Sequence, residues 1–387
     1  MNVTNIKSKF FVISLIFFLA AFFVSGVFAS SDKAPRKIVV FKKSFSNKAS
    51  QMALMKKNGA VPIKPLRILN GMAVQLPAQA QKALEKRLGD EILRIDEDLI
   101  LSGTVKPYKG DQPPQDLSWG IDRIGADIAW GDTSGTMVNV AVLDTGADLD
   151  HLDLLANIKG NYNAINPRKS ASDDHGHGTH VAGIVAAVNN DIGVVGVGPQ
   201  VNLYAVKVLN RKNEGSLSDI IDGLQWCIDN HMQVINMSFG SLYSNQSFND
   251  AIIAVHNAGI VQVAAAGNEG SSGGAIIYPA KYPETIAVSS VDSSDQLAAT
   301  SSWGTEIDLS APGVQIYSTY HDGFYTFKSG TSMAAPHVTG TAALVLAVHG
   351  TLTPDEVKAR LKSTAEDLGL LAEEQGAGLI RADIAIQ

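Results

Sequence analysis

Val138-Asn139-Val140-Ala141-Val142-Leu143-Asp144-Thr145-Gly146 is a short run of β-branched and aliphatic residues that stops at a carboxylate and a turn. An apolar run of this length with a turn signal at its end reads as a strand buried on both faces, with Asp144 held at its carboxyl edge. Similar runs recur at 203–208, 234–237, 261–265 and 286–291, with helical periods between them. The helix over 217–228 shows the period best, with Leu217, Ile220, Ile221, Leu224, Cys227 and Ile228 on one stripe. Ser216 stands as its N-cap, with Asp219 completing a capping box. Thr353-Pro354-Asp355-Glu356 opens a further helix in the same way. Strands alternating with helices predict an α/β fold, a mostly parallel sheet with helices on both faces.

The 387 residues are 45% hydrophobic and 18% charged, with 35 glycines and 14 prolines, a globular composition that excludes disorder, collagen and coiled coil. Cys227 is the single cysteine, so no internal disulfide forms, and its place on the apolar stripe makes it a small core residue. Charge is unevenly spread. Residues 30–104 carry 14 Lys and Arg against 7 Asp and Glu, and residues 105–387 carry 15 against 31. The opposite signs suggest two segments that bind each other, and the acidic major segment argues against nucleic acid and for cations as partners.

Lys7 and Lys9 precede an apolar run over 10–28 that closes in Val27-Phe28-Ala29, the small-residue pattern of a signal peptide cut after Ala29. The run is also close to spanning length, which leaves an uncleaved N-terminal anchor as the competing reading. Either way the remainder is exported, and no later stretch reads as a membrane span. Residues from 37 onward form a small α+β unit: strands at 38–41, 63–68, 72–76 and 92–95, helices at 49–58 and 78–88. The aperiodic run over 102–114, rich in Gly and Pro, reads as a linker, either cleavable or a permanent tether.

Polar motifs interrupt the α/β pattern at strand ends and helix starts, where open sheets carry their sites. Beside Asp144 stand Asp174-His175-Gly176-His177-Gly178-Thr179-His180 and Gly330-Thr331-Ser332-Met333-Ala334-Ala335-Pro336-His337. His175, His177 and His180 together could ligate a metal, though glycine spacing and the lack of a carboxylate ligand disfavour it. Ser332 falls at the positive end of a long apolar helix, where an oxyanion is stabilised. In conjunction the motifs supply a nucleophile, a base and a carboxylate that orients the base. Asp144-Thr145-Gly146 alone also matches the aspartic-protease triplet, but only one such triplet occurs, in the wrong fold class.

Val142 to Gly146, His177 to Gly183 and Gly330 to His337 resemble the three signature motifs of subtilisin-type serine proteases, in the order Asp, His, Ser. The resemblance extends over nearly all of 115–387 and, more weakly, over 33–101, which is similar to the inhibitory propeptide of that family. It implies a domain plan of signal peptide (1–29), propeptide (30–104, ending between 101 and 115) and peptidase domain (105–387). It implies Ser332 as nucleophile, His177 as general base and acid, Asp144 as orienting carboxylate and Asn268 as oxyanion donor, with His175 and His180 in support. Substrate backbone would pair with Ser238-Phe239-Gly240 and Asn213-Glu214-Gly215. The pocket for the residue before the cut would be walled by Ser238, Phe239, Gly240, Ala265, Ala266 and Gly267 and floored by Ile277, an apolar pocket. A structural Ca2+ is implied, held by side chains of Gln115, Asp153 and Asn190 and carbonyls of Val188, Ile192 and Val194; without the resemblance that loop reads as an ordinary Asn-rich turn. The implied protein is a secreted, autoprocessed, monomeric endopeptidase of broad specificity acting on polypeptides, with its own propeptide as chaperone and inhibitor. A signal-anchored processing protease of narrower specificity is the alternative.

Overall fold

The structure is a computed structural model that describes residues 34–103, 108–109 and 114–387. The signal-peptide reading, and most of the linker, lie outside the described residues. In the basic segment, β1 (Arg36–Phe41), β2 (Val61–Leu66), β3 (Gly71–Gln75) and β4 (Ile92–Glu97) form an antiparallel sheet in the order β2-β3-β1-β4. The helices α1 (Lys48–Lys57) and α2 (Ala78–Glu85) cover one of its faces. Next come two short strands, β5 (Ile100–Gly103) and β6 (Tyr108–Lys109), so the expected structureless linker is partly paired.

The major segment is built on seven parallel strands: β7 (Asn139–Asp144), β8 (Ile158–Asn163), β9 (Asn202–Lys207), β11 (Val234–Met237), β13 (Val261–Ala265), β14 (Ile286–Val291) and β15 (Leu309–Pro312). Their order is β15-β14-β13-β11-β7-β9-β8, which puts β7 near the centre. Between them lie α3 (His177–Ala186), β10 (Glu214–Ser216), α4 (Leu217–Asp229), β12 (Phe239–Gly240) and α5 (Gln246–Asn257). The hairpin β16 (Ile316–Tyr320) and β17 (Phe324–Lys328) then leads into α6 (Thr331–Val348) and α7 (Pro354–Ser363).

Side-chain alternation divides the core. Val140 and Val142 of β7 pack with α3 and α6, and Ala141 and Leu143 pack with α4 and α5. Both faces of the strand are therefore apolar, the reason it reads as an unbroken run. Cys227 is fully buried on the α4 side, where burial pushes its thiol pKa up. α6 does meet the length and hydropathy of a membrane span, contrary to the expectation from sequence, but 89% of it is inside the protein, so it is a core helix.

The basic unit continues the α4 and α5 layer. In β1, Val39 and Phe41 face α1 and α2, whereas Ile38 and Val40 join the core containing α4 and α5. The sheet thus depends on the major segment to cover its second face. The opposite charges meet here. Lys64 pairs with Asp219 at 2.5 Å and Asp222 at 3.5 Å, Arg67 with Asp229, and Arg94 with Asp250 at 2.5 Å. Asp98 accepts from Arg36 Nε at 2.7 Å, and from the backbone N–H and hydroxyl of Ser218 at 2.7 and 2.8 Å. A carboxylate from the basic unit therefore caps the first turn of α4. Ser216 caps that helix as expected, but Asp219 turns to Lys64 and the Ser216 hydroxyl instead of closing a capping box.

Asp98→Ala removes this cap and leaves Arg36 with only the more distant carboxylate of Asp219, at 4.0 Å. The loss should cost about 2 kcal/mol of stability in the uncut chain. Denaturant unfolding of chains that also carry Ser332→Ala measures it, and an unchanged midpoint would deny the cap any energetic role.

Candidate active site

The carboxyl end of β7 delivers Asp144 to the base of α3. His177 is the first residue of that helix, and its Nδ1–H donates to Asp144 Oδ1 at 2.7 Å with both side chains fully buried. Asp144 Oδ1 also accepts from the Thr145 N–H at 2.7 Å. The approach demands glycine, since a Cβ on Gly178 would lie 2.1 Å from the Gly146 carbonyl and 3.0 Å from Asp144 Cβ. Gly176, at φ 93°, makes the turn into the helix and leaves no room for a side chain against Tyr320.

Ser332 lies in the first turn of α6, after Gly330 at φ 144°. Its hydroxyl donates to the Ser238 carbonyl at 3.1 Å, and the Ser238 hydroxyl donates back to the Ser332 carbonyl at 3.1 Å. His177 Nε2 has no hydrogen-bond partner among the described residues, so the link between base and nucleophile is the one not made. Such links are commonly loose before a substrate binds. Asn268 Oδ1 accepts from the Thr331 N–H at 3.0 Å and the Thr331 hydroxyl at 3.2 Å. This fixes which end of the amide donates, and a Cβ on the neighbouring Gly330 would lie 3.2 Å from Nδ2.

The two supporting histidines differ. His180 is fully buried with Nε2 3.1 Å from the carbonyls of Ile316 and Thr326, and burial holds it neutral, its pKa well below the usual value. It ties the hairpin to α3, which takes it out of any metal set with His177, already committed to Asp144. His175 is partly exposed, and burial together with the charges of His177 and Lys328 lowers its pKa. No group of three His, Cys, Asp or Glu residues is arranged to hold a metal among the described residues. Asp144 faces an imidazole, not a second carboxylate, which removes the basis for an aspartic-type site.

The two expected substrate edges are both engaged by the chain itself. β5 lies antiparallel between β10 and β12, with Ser216, Gly215 and Glu214 opposite Ile100, Leu101 and Ser102, and Gly240 and Phe239 opposite Ser102 and Gly103. The paired residues are 214–216, one step later than expected. Asn213 is instead a turn residue in the left-handed region, at φ 61°. Ile277 packs against two of the glycines expected in the pocket walls: a Cβ on Gly240 would meet its Cδ1 at 2.5 Å, and one on Gly267 would meet its Cγ2 at 3.0 Å. Ala265 and Ala266 are buried alongside.

The residues expected to hold calcium also converge. Gln115 Oε1 accepts from the Asn190 N–H at 2.5 Å, and Asp153 Oδ1 accepts from Asn190 Nδ2 at 2.8 Å. Asp153 Oδ2 takes the Val194 N–H at 2.9 Å and the Tyr325 hydroxyl at 2.8 Å, while the Val188 N–H donates to the Asp153 carbonyl at 2.8 Å. The Ile192 N–H is held by Asn190 Oδ1 at 2.8 Å.

Sequence reading missed three contributors. Asp173 accepts from the N–H groups of His175, Gly176 and Thr179 and from the Thr179 hydroxyl. Burial alone would raise its pKa, but these donors hold it lowered, and an Asp just ahead of a helix start was the available signal. Thr331, which orients Asn268, sat unremarked inside the serine motif. Lys328 is 2% exposed, its Nζ lies 4.9 Å above the Tyr320 ring, and it has no hydrogen-bond partner among the described residues.

A parallel α/β sheet whose carboxyl edge carries a buried Asp–His pair beside a helix-start serine defines a hydrolase that works through an activated hydroxyl. The profile described as the Subtilase family matches residues 135–378. The chain is 40% identical to "Subtilisin E" of Bacillus subtilis (strain 168) over 390 residues, 98% of each chain. It is 47% identical over 280 residues to "Subtilisin" of Bacillus pumilus, covering 70% of this chain and all of the relative. It is also 45% identical over 274 residues to "Thermostable alkaline protease" of Halalkalibacterium halodurans, covering 70% of this chain and 74% of that one. The chain belongs to the subtilase family and is a serine endopeptidase.

Proposed function

We propose that this chain is the precursor of a secreted serine endopeptidase that cuts itself once, just beyond Gly103, and thereafter cuts other polypeptides at apolar positions. The observation that carries this reading is β5, held as a third strand between β10 and β12 with its end directed past Phe239, next to Ser238 and Ser332. Strand addition gives affinity through the backbone and leaves choice to side-chain pockets, so an edge that holds 100–103 holds other extended chains equally well.

In the proposed mechanism Ser332 Oγ attacks the scissile carbonyl while His177 Nε2, which has no partner among the described residues, takes its proton. Asp144 keeps the imidazole in the tautomer with hydrogen on Nδ1 and stabilises the imidazolium. The Ser332 N–H at the start of α6 and Asn268 Nδ2 stabilise the oxyanion. His177 then returns the proton to the leaving amine, and water repeats the sequence on the acyl-enzyme. Two substitutions test this. The Ser332→Ala chain should stay at precursor size, whereas the unaltered chain should lose its first hundred or so residues, with mass spectrometry placing the cut at 104–107. Mature-sized protein in pure Ser332→Ala would sink self-processing. Asn268→Ala should lower kcat by about 100- to 1000-fold with little change in KM, the size of effect that removing this donor has in subtilisin itself.

The pocket is made of Gly, Ala, Ser and Phe with Ile277 packed against two of its glycines, and it holds no acid to pair with a basic side chain. Burying an unpaired Lys or Arg there is costly. Leu and Met should therefore precede the cut more readily than Phe or Tyr, and Lys or Arg least. In a panel of peptides varied at that residue, a preference for Arg would refute the walls and one for Tyr would refute the floor.

The loop over 188–194, with Gln115 and Asp153, is of the chemistry calcium takes: the Asp153 carboxylate and the Gln115 side-chain oxygen both meet Asn190. Bound calcium would stabilise the folded state by about 2.7 kcal/mol at a hundredfold excess over Kd, with no part in the chemistry. Chelation should shorten the half-life at high temperature and leave the initial rate unchanged. Immediate loss of turnover from a still folded protein would contradict that role.

A further inference from the structure

Resting on the peptidase reading above, we propose that Lys207 is a positioning residue, whose ammonium joins Thr145 to Asp174 and so sets the approach of Asp144 to His177. Lys207 is the single charged residue of β9. It lies opposite Asp144 in the pairing with β7 and opposite Asn163 in the pairing with β8, and its chain neighbours Val206 and Val208 are fully buried. Its Nζ donates to the Thr145 carbonyl at 2.5 Å and to Asp174 Oδ1 at 2.6 Å. These acceptors come from the two segments that must meet. Thr145 follows Asp144 at the end of β7, and Asp174 stands three residues ahead of His177.

Thr145 is the residue through which the two segments touch. Its N–H donates to Asp144 Oδ1 at 2.7 Å, and its hydroxyl accepts from the Gly178 N–H at 2.9 Å, so its orientation governs both the carboxylate and the start of α3. Thr145 is fully buried, and the Lys207 ammonium is the donor that satisfies its carbonyl. On the other side, Asp173 accepts from the N–H groups of His175, Gly176 and Thr179, which makes the turn at Asp174 one piece with the helix start. Lys207 therefore closes a ring that runs from Asp144 through Thr145, Lys207, Asp174 and His177 and back to Asp144 at 2.7 Å. Ion pairing by itself does not account for the residue. The Asp174 side chain is 55% exposed, where a salt bridge contributes little, while the lysine side chain is 8% exposed and costly to bury. What the charge supplies is geometry, and a misplacement of about 1 Å at a reacting group costs on the order of 100-fold in rate.

Lys207→Met removes the ammonium and keeps an apolar stem, and it tests the inference in two readouts. For the mature enzyme, with active sites counted by a serine-directed fluorophosphonate, kcat on a peptide with Leu before the cut should fall about 10- to 100-fold while KM stays within about twofold. In the uncut chain carrying Ser332→Ala, the far-downfield proton signal of the His177 Nδ1–H should move upfield and broaden when Lys207→Met is added. A kcat within about threefold of the unaltered enzyme, a loss confined to KM, or an unmoved Nδ1–H signal overturns the inference. A lysine that only stabilised the fold would lower the melting temperature and leave both readouts alone. Should Lys207→Met not fold, Asp174→Ala decides, since that side chain is mostly exposed. Its kcat should fall about fivefold at constant KM, the rate equivalent of an exposed ion pair, and an unchanged kcat overturns the inference. Hydrolysis by the unaltered chain that disappears in Ser332→Ala reports separately on the underlying reading, and failure of the unaltered chain to cut any peptide removes that reading and this one together.

Discussion

A hydrogen bond of 2.7 Å between two fully buried side chains, Asp144 and His177, is the constraint around which the peptidase half is arranged. Neither group could be placed in an apolar interior alone, because an uncompensated carboxylate or imidazole there is costly. Bringing them together requires the end of β7 and the start of α3 to meet at backbone distance. That contact explains Gly178 and Gly176, the Thr145 hydroxyl that accepts from the Gly178 N–H at 2.9 Å, and the Asp173 clasp on the turn ahead of His177. His180, one helical turn on, then locks the β16 and β17 hairpin to the same helix, and that hairpin leads directly into the turn that presents Ser332.

The second half of the molecule is organised by a shortage. The basic unit has about 70 residues and a four-stranded sheet with helices on one face only, too little to bury both faces of β1. Ile38 and Val40 are covered by α4 and α5 of the peptidase half. The same surface is where Lys64, Arg67 and Arg94 meet Asp219, Asp222, Asp229 and Asp250, and where Asp98 caps α4. Apolar cover and charge pairing therefore act on one interface, and the unit that borrows stability across it also positions β5 in the cleft.

Much of this was legible in the sequence because the central strands are buried on both faces and so read as uninterrupted β-branched runs; 234–237, 261–265 and 286–291 coincide with observed strands. β8 was missed for the opposite reason. It is an edge strand, Ile158-Lys159-Gly160-Asn161-Tyr162-Asn163, polar and interrupted by glycine. β15, Leu309-Ser310-Ala311-Pro312, is too short for a period to show. The site motifs were legible because close backbone approach leaves glycines in fixed places. Contacts such as Lys64 with Asp219, 155 residues apart, leave no local trace. Lys328 was illegible for a subtler reason, since a lysine in an alternating strand reads as solvent-facing, and only tertiary packing turns it inward.

β5 joins the two halves in one further respect. An antiparallel strand paired along both edges is fixed in register, because a slip of one residue would break its backbone pairing on both sides at once. Under the proposed function the peptidase half thus needs no sequence code to define the bond presented to Ser332. It needs only a strand anchored at a set distance from the end of β4, and Asp98 supplies that anchor two residues before Ile100 by binding the first turn of α4. A free substrate has no such anchor and can shift until a suitable side chain enters the pocket. Under the proposed function, one cleft therefore makes a single defined cut in its own chain and many cuts, chosen by side chain, in others.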